Sequence, residues 1–263
     1  MKYALITGAY GGMGYATVKR MLASGYTVFA LDKVVKEKEE GVIPIKVDLT
    51  DASQIQNAFN EVSKITNELN AIIHFAGVYM LNSLIELPNE KFEQIFKVNV
   101  FSAYYVNKAF VPLLKKGSKI IITTSELAPL DPLPFTGIYA ITKSALDKYA
   151  FSLKMELQLL DISVSVLRAG AVSTGMLSVS TSQLQQFCET TKIYKCNAER
   201  FKKIVDKVEA KNVSPEKLAK KVEKILNAKK PKFAYKINRN KLLILLNAMP
   251  NCVQFKIIKK ILK

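Results

Sequence analysis

The sequence predicts an α/β fold, a doubly wound parallel sheet in three layers, αβα. Three observations carry this. Short apolar runs alternate with longer helical stretches, the rhythm of a parallel sheet covered on both faces. A glycine-rich turn, Thr7-Gly8-Ala9-Tyr10-Gly11-Gly12-Met13-Gly14, follows the first apolar run at once. The composition, 49% hydrophobic and 23% charged over 263 residues, supports a large core.

The elements read in order as follows. Lys2–Thr7 is a first strand, and a helix runs from about Gly14 to Ser24, stopped at Gly25. Tyr26–Leu31 and Val42–Val47 are strands, the latter burdened by Pro44. Asp51–Leu69 is helical, Ala71–Phe75 a strand, Glu90–Leu114 one long helical stretch and Lys119–Thr124 a strand. Tyr139–Leu160 is helical and Ser163–Leu167 is the sixth strand. After Gly170 the rhythm breaks. Residues 172–195 read as a partly helical substrate loop or lid, 198–211 and 215–228 as helices, and Lys232–Ile237 as a last strand. Ser214 and Pro215 have the types expected at N-cap and N1. The expectation is one domain over 1–263, with a substrate loop at about 172–211 and a basic tail at about 238–263.

Composition excludes several classes. Cys188, Cys196 and Cys252 form neither a disulfide framework nor a metal-site spacing, and a single His excludes a His-rich metal site. A reducing, cytoplasmic setting follows as the expectation. The apolar run beginning at Tyr3 leads straight into the glycine turn, which does not read as a signal peptide. Net charge is +17, and residues 191–263 hold 21 basic against 5 acidic residues. That asymmetry fits a solvated lysine-rich face or a peripheral contact with an anionic membrane. The aromatic interleaving of a base-stacking surface is absent, so no nucleic acid is expected.

The glycine turn suits a dinucleotide. Residues without a Cβ allow a tight turn and close approach of the backbone to a pyrophosphate, and the following helix offers free N–H groups. Gly8, Gly12 and Gly14 are the essential set, with Tyr10 and Met13 between them. Asp32 lies 24 residues after Gly8, where a carboxylate accepts hydrogen bonds from the adenosine ribose and repels a 2′-phosphate. NAD is therefore favoured over NADP, with Lys33 softening the preference. Read alone, Asp32 is equally a strand-end cap.

With these residues the chain resembles the short-chain dehydrogenases/reductases of the single-domain type, and the resemblance implies a Rossmann-like fold. The turn matches that family's Thr-Gly-x-x-x-Gly-x-Gly, and Asp48 in Val47-Asp48-Leu49 its adenine-binding acid. His74-Phe75-Ala76-Gly77 matches Asn-Asn-Ala-Gly, with both asparagines replaced. Asn99 matches the catalytic-tetrad asparagine, Ser125 the catalytic serine, and Tyr139 with Lys143 the Tyr-x-x-x-Lys pair. Arg168-Ala169-Gly170, followed by Val172 and Thr174, matches the nicotinamide segment, with Ala169 in place of proline. The resemblance implies that Lys143 also grips the nicotinamide ribose and that Asn99 supports a water relay through it. Ser125 lies 14 residues before Tyr139, one more than usual in the family. His74 reads as a packed residue or as one touching the adenosine side.

Tyr139 and Lys143 also make chemical sense by themselves. Four apart on a helix, they share a face. An ammonium beside a phenol favours the phenolate and lowers its pKa, which gives a usable acid and base.

The expected function is an NAD-dependent oxidoreductase interconverting a secondary alcohol and a ketone. In the family the corresponding region covers the substrate, and Val172, Met176, Leu177, Val179, Leu184 and Phe187 fit an apolar substrate there or equally ordinary packing. A softer likeness of the C-terminal part to the family's hydroxysteroid and retinol branch implies a steroid-, retinoid- or lipid-like one, and hence a place in lipid metabolism. The family resemblance implies a homodimer or homotetramer. The tail from Val253 to Lys263 interleaves apolar residues with lysines. It reads as a basic amphipathic helix on a membrane, or as packing over the pocket or a partner subunit. The alternative function is a non-catalytic dinucleotide-binding regulatory or scaffold protein.

Overall fold

The computed structural model describes residues 1–36, 39–209 and 211–263, and the side chains of 176–180 and 208–209 lie outside the described set. Among the described residues, seven strands form one parallel sheet in the order β3-β2-β1-β4-β5-β6-β7. They are β1 (Lys2–Thr7), β2 (Tyr26–Asp32), β3 (Val42–Lys46), β4 (Leu69–His74), β5 (Leu114–Ser125), β6 (Ser163–Ala169) and β7 (Ala234–Ile237). Within β1, Leu5 packs into the core on one face, while Ala4 and Ile6 pack into the core on the other. This is the period of two expected of a strand buried on both sides. Pro44 sits in β3 opposite Ala30. It is tolerated because β3 is an edge strand, where a missing N–H costs least.

Helices α1 (Gly12–Ala23) and α8 (Pro215–Leu226) cover one face. On α1, Val18 and Met21 are fully buried, and on α8 so are Leu218, Val222 and Ile225. Helices α2 (Ala52–Ser63), α4 (Ser102–Phe110) and α5 (Gly137–Leu157) cover the other. Ser214 caps α8 by accepting from the Lys217 N–H at 3.4 Å. Asp51 caps α2 by accepting from the Ser53 and Gln54 N–H groups.

The order reverses direction at β1, with β2 on one side and β4 on the other. The loops leaving β1 and β4 therefore diverge and open a crevice at the C-terminal ends of the strands, where ligands bind in such sheets.

Two expectations are corrected. The helix expected over Asp51–Leu69 ends at Ser63, because a turn at Thr66–Glu68 redirects the chain and Leu69 is fully buried in β4. The long stretch from Glu90 is broken: α3 (Asn89–Phe96) passes through a π-turn at Lys97–Phe101 into α4, and Leu114 belongs to β5. The partly helical segment expected over 172–195 contains α6 (Gly175–Thr190), and the helix expected over 198–211 is α7 (Lys195–Glu209). The tail folds as α9 (Lys241–Asn247) and α10 (Asn251–Leu262). Among the described residues, no helix is long and apolar enough to cross a membrane.

Candidate active site

The strand ends bring Gly77, Ser125, Tyr139, Lys143, Gly170 and Thr174, with Met13 and Val172, to one crevice. Gly8, with φ +64°, turns the chain out of β1. A Cβ on Gly14 would sit 2.0 Å from the Gly8 carbonyl oxygen, so the helix can start this close to the strand only with glycine there. A Cβ on Gly12 would meet the Thr174 methyl at 2.6 Å, which places the segment after β6 directly over the glycine turn. The first turn of α1 carries no side-chain cap, so its N–H groups face the crevice without a protein partner from that source. This cradle fits the diphosphate of a dinucleotide.

Asp32 closes β2 beside this turn. One carboxylate oxygen accepts from the Tyr10 N–H at 2.9 Å and the other from the Val34 N–H at 3.4 Å. The lone pairs left over remain for a ribose. Asp48 accepts from the Thr50 N–H and hydroxyl at 2.9 and 2.7 Å, and pairs with the Lys33 ammonium at 3.0 Å. Burial works to raise its pKa, but these bonds outweigh it and hold the carboxyl below its usual range. Leu49, beside it, is a core residue.

Asn99 lies in the π-turn between α3 and α4, a backbone irregularity frequent at functional sites. Its side chain accepts from the Val78 N–H at 2.8 Å and donates to the Val78 carbonyl at 2.9 Å and the Thr142 hydroxyl at 3.1 Å. The Thr142 hydroxyl in turn donates to the Tyr139 carbonyl. Asn99 thus ties the loop after β4, which carries Ala76 and Gly77, to helix α5. A Cβ on Gly77 would lie 3.2 Å from Asn99 Oδ1 and 3.3 Å from Lys143 Nζ, so that loop crosses the lysine at closest approach.

Tyr139 and Lys143 share one buried face of α5, and the Lys143 ammonium lies 5.7 Å from the Tyr139 ring centroid. The sequence-based expectation of a lowered phenol pKa is not met. Burial pushes Tyr139 up to about 12, with a hydrogen bond to Ser125 opposing it, and pushes Lys143 down to about 8. Burial is the largest cause at both groups, so desolvation decides. Among the hydrogen bonds of the described residues, Lys143 makes one, a long bond of 3.4 Å to the Thr123 carbonyl, leaving donors for a ligand.

Ser125 ends β5 and meets Tyr139, while the neighbouring Thr124 hydroxyl turns away to Asp147 at 3.1 Å. The extra residue between Ser125 and Tyr139 is taken up in the turns at 126–134, which Ser144 pins by donating to the Ala128 carbonyl. Asp147, one turn beyond Lys143, also receives two bonds from Arg168 at 3.0 and 2.7 Å. That bridge locks α5 against β5 and β6. Ala169 ends β6, paired with Ser125 and Ile237. Gly170 then packs against the Asn238 carbonyl.

His74 is removed from the crevice. It is buried, its Nε2 lies 2.9 Å from Asn107 Oδ1, and Asn107 donates on to the Tyr149 hydroxyl at 3.0 Å. Burial drives its pKa down to about 4, so it is a neutral packed residue at neutral pH.

A cavity of about 520 Å³ opens beside Tyr139, Lys143 and Ser125. Val172 and Thr174 line it, as do Leu133, Phe201, Leu243 and Ile258. Leu184 and Phe187 support it from behind in a cluster with Phe201 and Ala198. The side chains of Met176, Leu177 and Val179 lie outside the described residues. Sequence reasoning missed Glu126, the one carboxylate in this lining among the described residues. Its Oε2 accepts from the Asn240 N–H at 2.6 Å, and burial raises its pKa. It holds the entry to α9 against the site.

Residues 2–185 match the model of the short chain dehydrogenase family. The chain belongs to this family. It is 33% identical over 187 residues to estradiol 17-beta-dehydrogenase 2 of Mus musculus, a match covering 66% of this chain and 49% of the mouse protein, so it spans about half of that relative. It is 27% identical over 257 residues to an NADPH-dependent 3-dehydrocapnine reductase of Ornithobacterium rhinotracheale, covering 92% of this chain and 90% of that protein. A short chain dehydrogenase family structure from Francisella tularensis superposes with a TM-score of 0.76 at 23% identity, covering 90% of this chain and 97% of the other, and supports the Rossmann-like fold. The chain is thus a short-chain dehydrogenase/reductase, an oxidoreductase of a family that binds a nicotinamide dinucleotide.

Proposed function

We propose that the chain is an NAD-dependent oxidoreductase interconverting a hydrophobic secondary alcohol and its ketone, steroid-, retinoid- or lipid-like in kind. The observation that carries this is the largely apolar cavity that Tyr139, Ser125 and Lys143 line together. The mouse relative's name gives a steroid alcohol and the bacterial one's a keto compound, both compatible with such a cavity.

In this reading Gly8, Tyr10, Gly12, Met13 and Gly14 hold the diphosphate, and Asp32 the adenosine ribose. Asp48 and Leu49 border the adenine. Ala76, Gly77, Gly170, Val172 and Thr174 border the nicotinamide, and Lys143 binds its ribose. When bound, the dinucleotide supplies or accepts the hydride. Ser125 donates a hydrogen bond to the substrate oxygen and fixes its place. The Tyr139 phenol gives its proton to that oxygen as a ketone becomes an alcohol, and takes it back in the reverse direction. Asn99 holds the loop and helix that set the distance between Lys143 and Tyr139. The apolar walls exclude water from the reacting oxygen.

Asp32 favours NAD, because a second anion at the ribose 2′ position would face its carboxylate. Exposed Phe101, Tyr104, Phe151 and Met155 mark one outer side of α4 and α5, and we assign that side to a homodimer contact. The three free cysteines suit a reducing, cytoplasmic setting.

The test is purified protein with NADH and a panel of steroid, retinoid and long-chain keto compounds. Turnover of at least one member is expected. Tyr139→Phe should lose turnover by about 10²–10⁴-fold while keeping dinucleotide binding. Binding of NADH without turnover across the panel assigns the chain instead to dinucleotide-binding regulators.

A further inference from the structure

The mouth of the cavity is apolar on the outside as well as the inside. Leu242 and Leu245 of α9 and Ile261 of α10 line the cavity, yet are 75, 58 and 52% exposed. They form the rim. Phe255, on the outer half of α10, is 68% exposed. Large apolar groups held in water on two consecutive helices mark a contact surface.

The charge around them has one sign. Residues 238–263 contain Arg239, Lys241, Lys256, Lys259, Lys260 and Lys263, and no Asp or Glu. The five lysines are exposed, and among the described residues none joins an ion pair. At 100° per residue, Lys256, Lys259, Lys260 and Lys263 fall on the arc of α10 opposite buried Gln254, with Phe255 and Val253 at its edges.

The two helices are nevertheless fixed to the body. Asn238 donates to the Ala171 and Lys211 carbonyls, Asn247 Oδ1 accepts from the Asp131 N–H at 2.6 Å, and Asn197 donates to the Leu262 carbonyl at 2.7 Å. Their exposed side is therefore a rigid part of the surface.

We propose that the α9–α10 face docks on an anionic lipid bilayer and that the cavity takes its substrate from that bilayer. A protein covering Leu242, Leu245 and Ile261 would plug the opening. A bilayer instead offers anionic headgroups to the lysines and an acyl phase continuous with the apolar rim. The lysine stems reach outward to the headgroups while Phe255 and the rim leucines enter the interface. Docking is peripheral, since no described helix can span. The proposal rests on the cavity being the substrate site, but its test does not require turnover.

The test is flotation of the full chain with phosphatidylcholine vesicles, with and without phosphatidylglycerol. The chain should float only with the anionic vesicles and detach as salt is raised. Reversing three lysines together (K256E, K259E and K260E) should weaken partitioning by about 100-fold or more, and Phe255→Ser should weaken it separately. Both variants should keep the wild-type melting temperature and NADH binding, which shows that they fold. No flotation with anionic vesicles overturns the proposal, as does flotation undiminished in both variants. A dimer in solution that Phe255→Ser dissolves also overturns it, because a second copy then covers the face. If the chain floats as expected but reduces no ketone, the enzymatic reading fails and the docking stands.

Discussion

The Lys143 ammonium lies 5.7 Å from the Tyr139 ring centroid, and burial drives both side chains toward their neutral forms, the lysine down to about 8 and the phenol up to about 12. Near pH 7 the phenol therefore holds the proton needed for ketone reduction, and the lysine still holds the charge needed to bind a ribose. On the proposed function the alkaline limb of catalysis should belong to the lysine, because burial pushes its pKa down to about 8 and that of the phenol up to about 12. kcat/KM for NADH, which reports the free enzyme, should be flat below pH 7 and fall as pH rises through about 8. In Lys143→Arg, whose guanidinium stays charged, the residual activity should show no limb there. A limb at the same pH in that variant would assign it to another group.

The glycine turn makes a steric prediction. A Cβ on Gly14 would lie 2.0 Å from backbone oxygen, which no side-chain rotation relieves. Gly14→Ala should cost about 1–3 kcal/mol of stability in denaturant unfolding and abolish dinucleotide binding. Gly175, the first residue of α6, has nothing within 4 Å of an added Cβ. Gly175→Ala should be neutral or slightly stabilising in the same assay.

These positions show what local sequence carries and what it does not. The run Tyr3-Ala4-Leu5-Ile6 predicts β1 at its observed bounds, and Ser214-Pro215 predicts the start of α8, because strand burial and capping are local. The π-turn at Asn99 is invisible in Lys97-Val98-Asn99-Val100: its cause is a pair of bonds to Val78, 21 residues away. The direction of the Tyr139 shift was misjudged because the spacing of two residues shows their proximity but not their desolvation. Glu126 was missed for the same reason, since its partner Asn240 is 114 residues downstream. The tail's alternation of apolar and lysine residues left packing and membrane contact open. The structure shows an inward side on the cavity and a separate outward side.

Asp32 gives a test of cofactor choice. Its carboxylate holds the Tyr10 N–H at 2.9 Å and, on the proposed function, faces the adenosine ribose, so removing its charge should spare the loop if an acceptor remains. Asp32→Asn keeps an acceptor oxygen. Its kcat/KM should fall with NADH and rise with NADPH, moving the ratio by about 10-fold or more toward NADPH. An unchanged ratio would mean that Asp32 acts only on the loop.

His74 links the fold to pH in the acid range. Its folded pKa is about 4 against an unfolded value of 6.5, because burial disfavours the imidazolium. A buried neutral imidazole binds fewer protons than the unfolded chain between these values, so stability contributed by neutral His74 is present above pH 6.5 and lost as pH falls toward 4. The loss amounts to about 3 kcal/mol at most, from a shift of about two and a half units. Urea midpoints should therefore drop between pH 7 and pH 5 in the wild type. His74→Asn removes the titrating group from the Asn107–Tyr149 chain. It should lower stability at pH 7 through the smaller side chain, but its midpoint should change less between the two pH values. An equal acid drop in that variant would place the effect on the carboxylates instead.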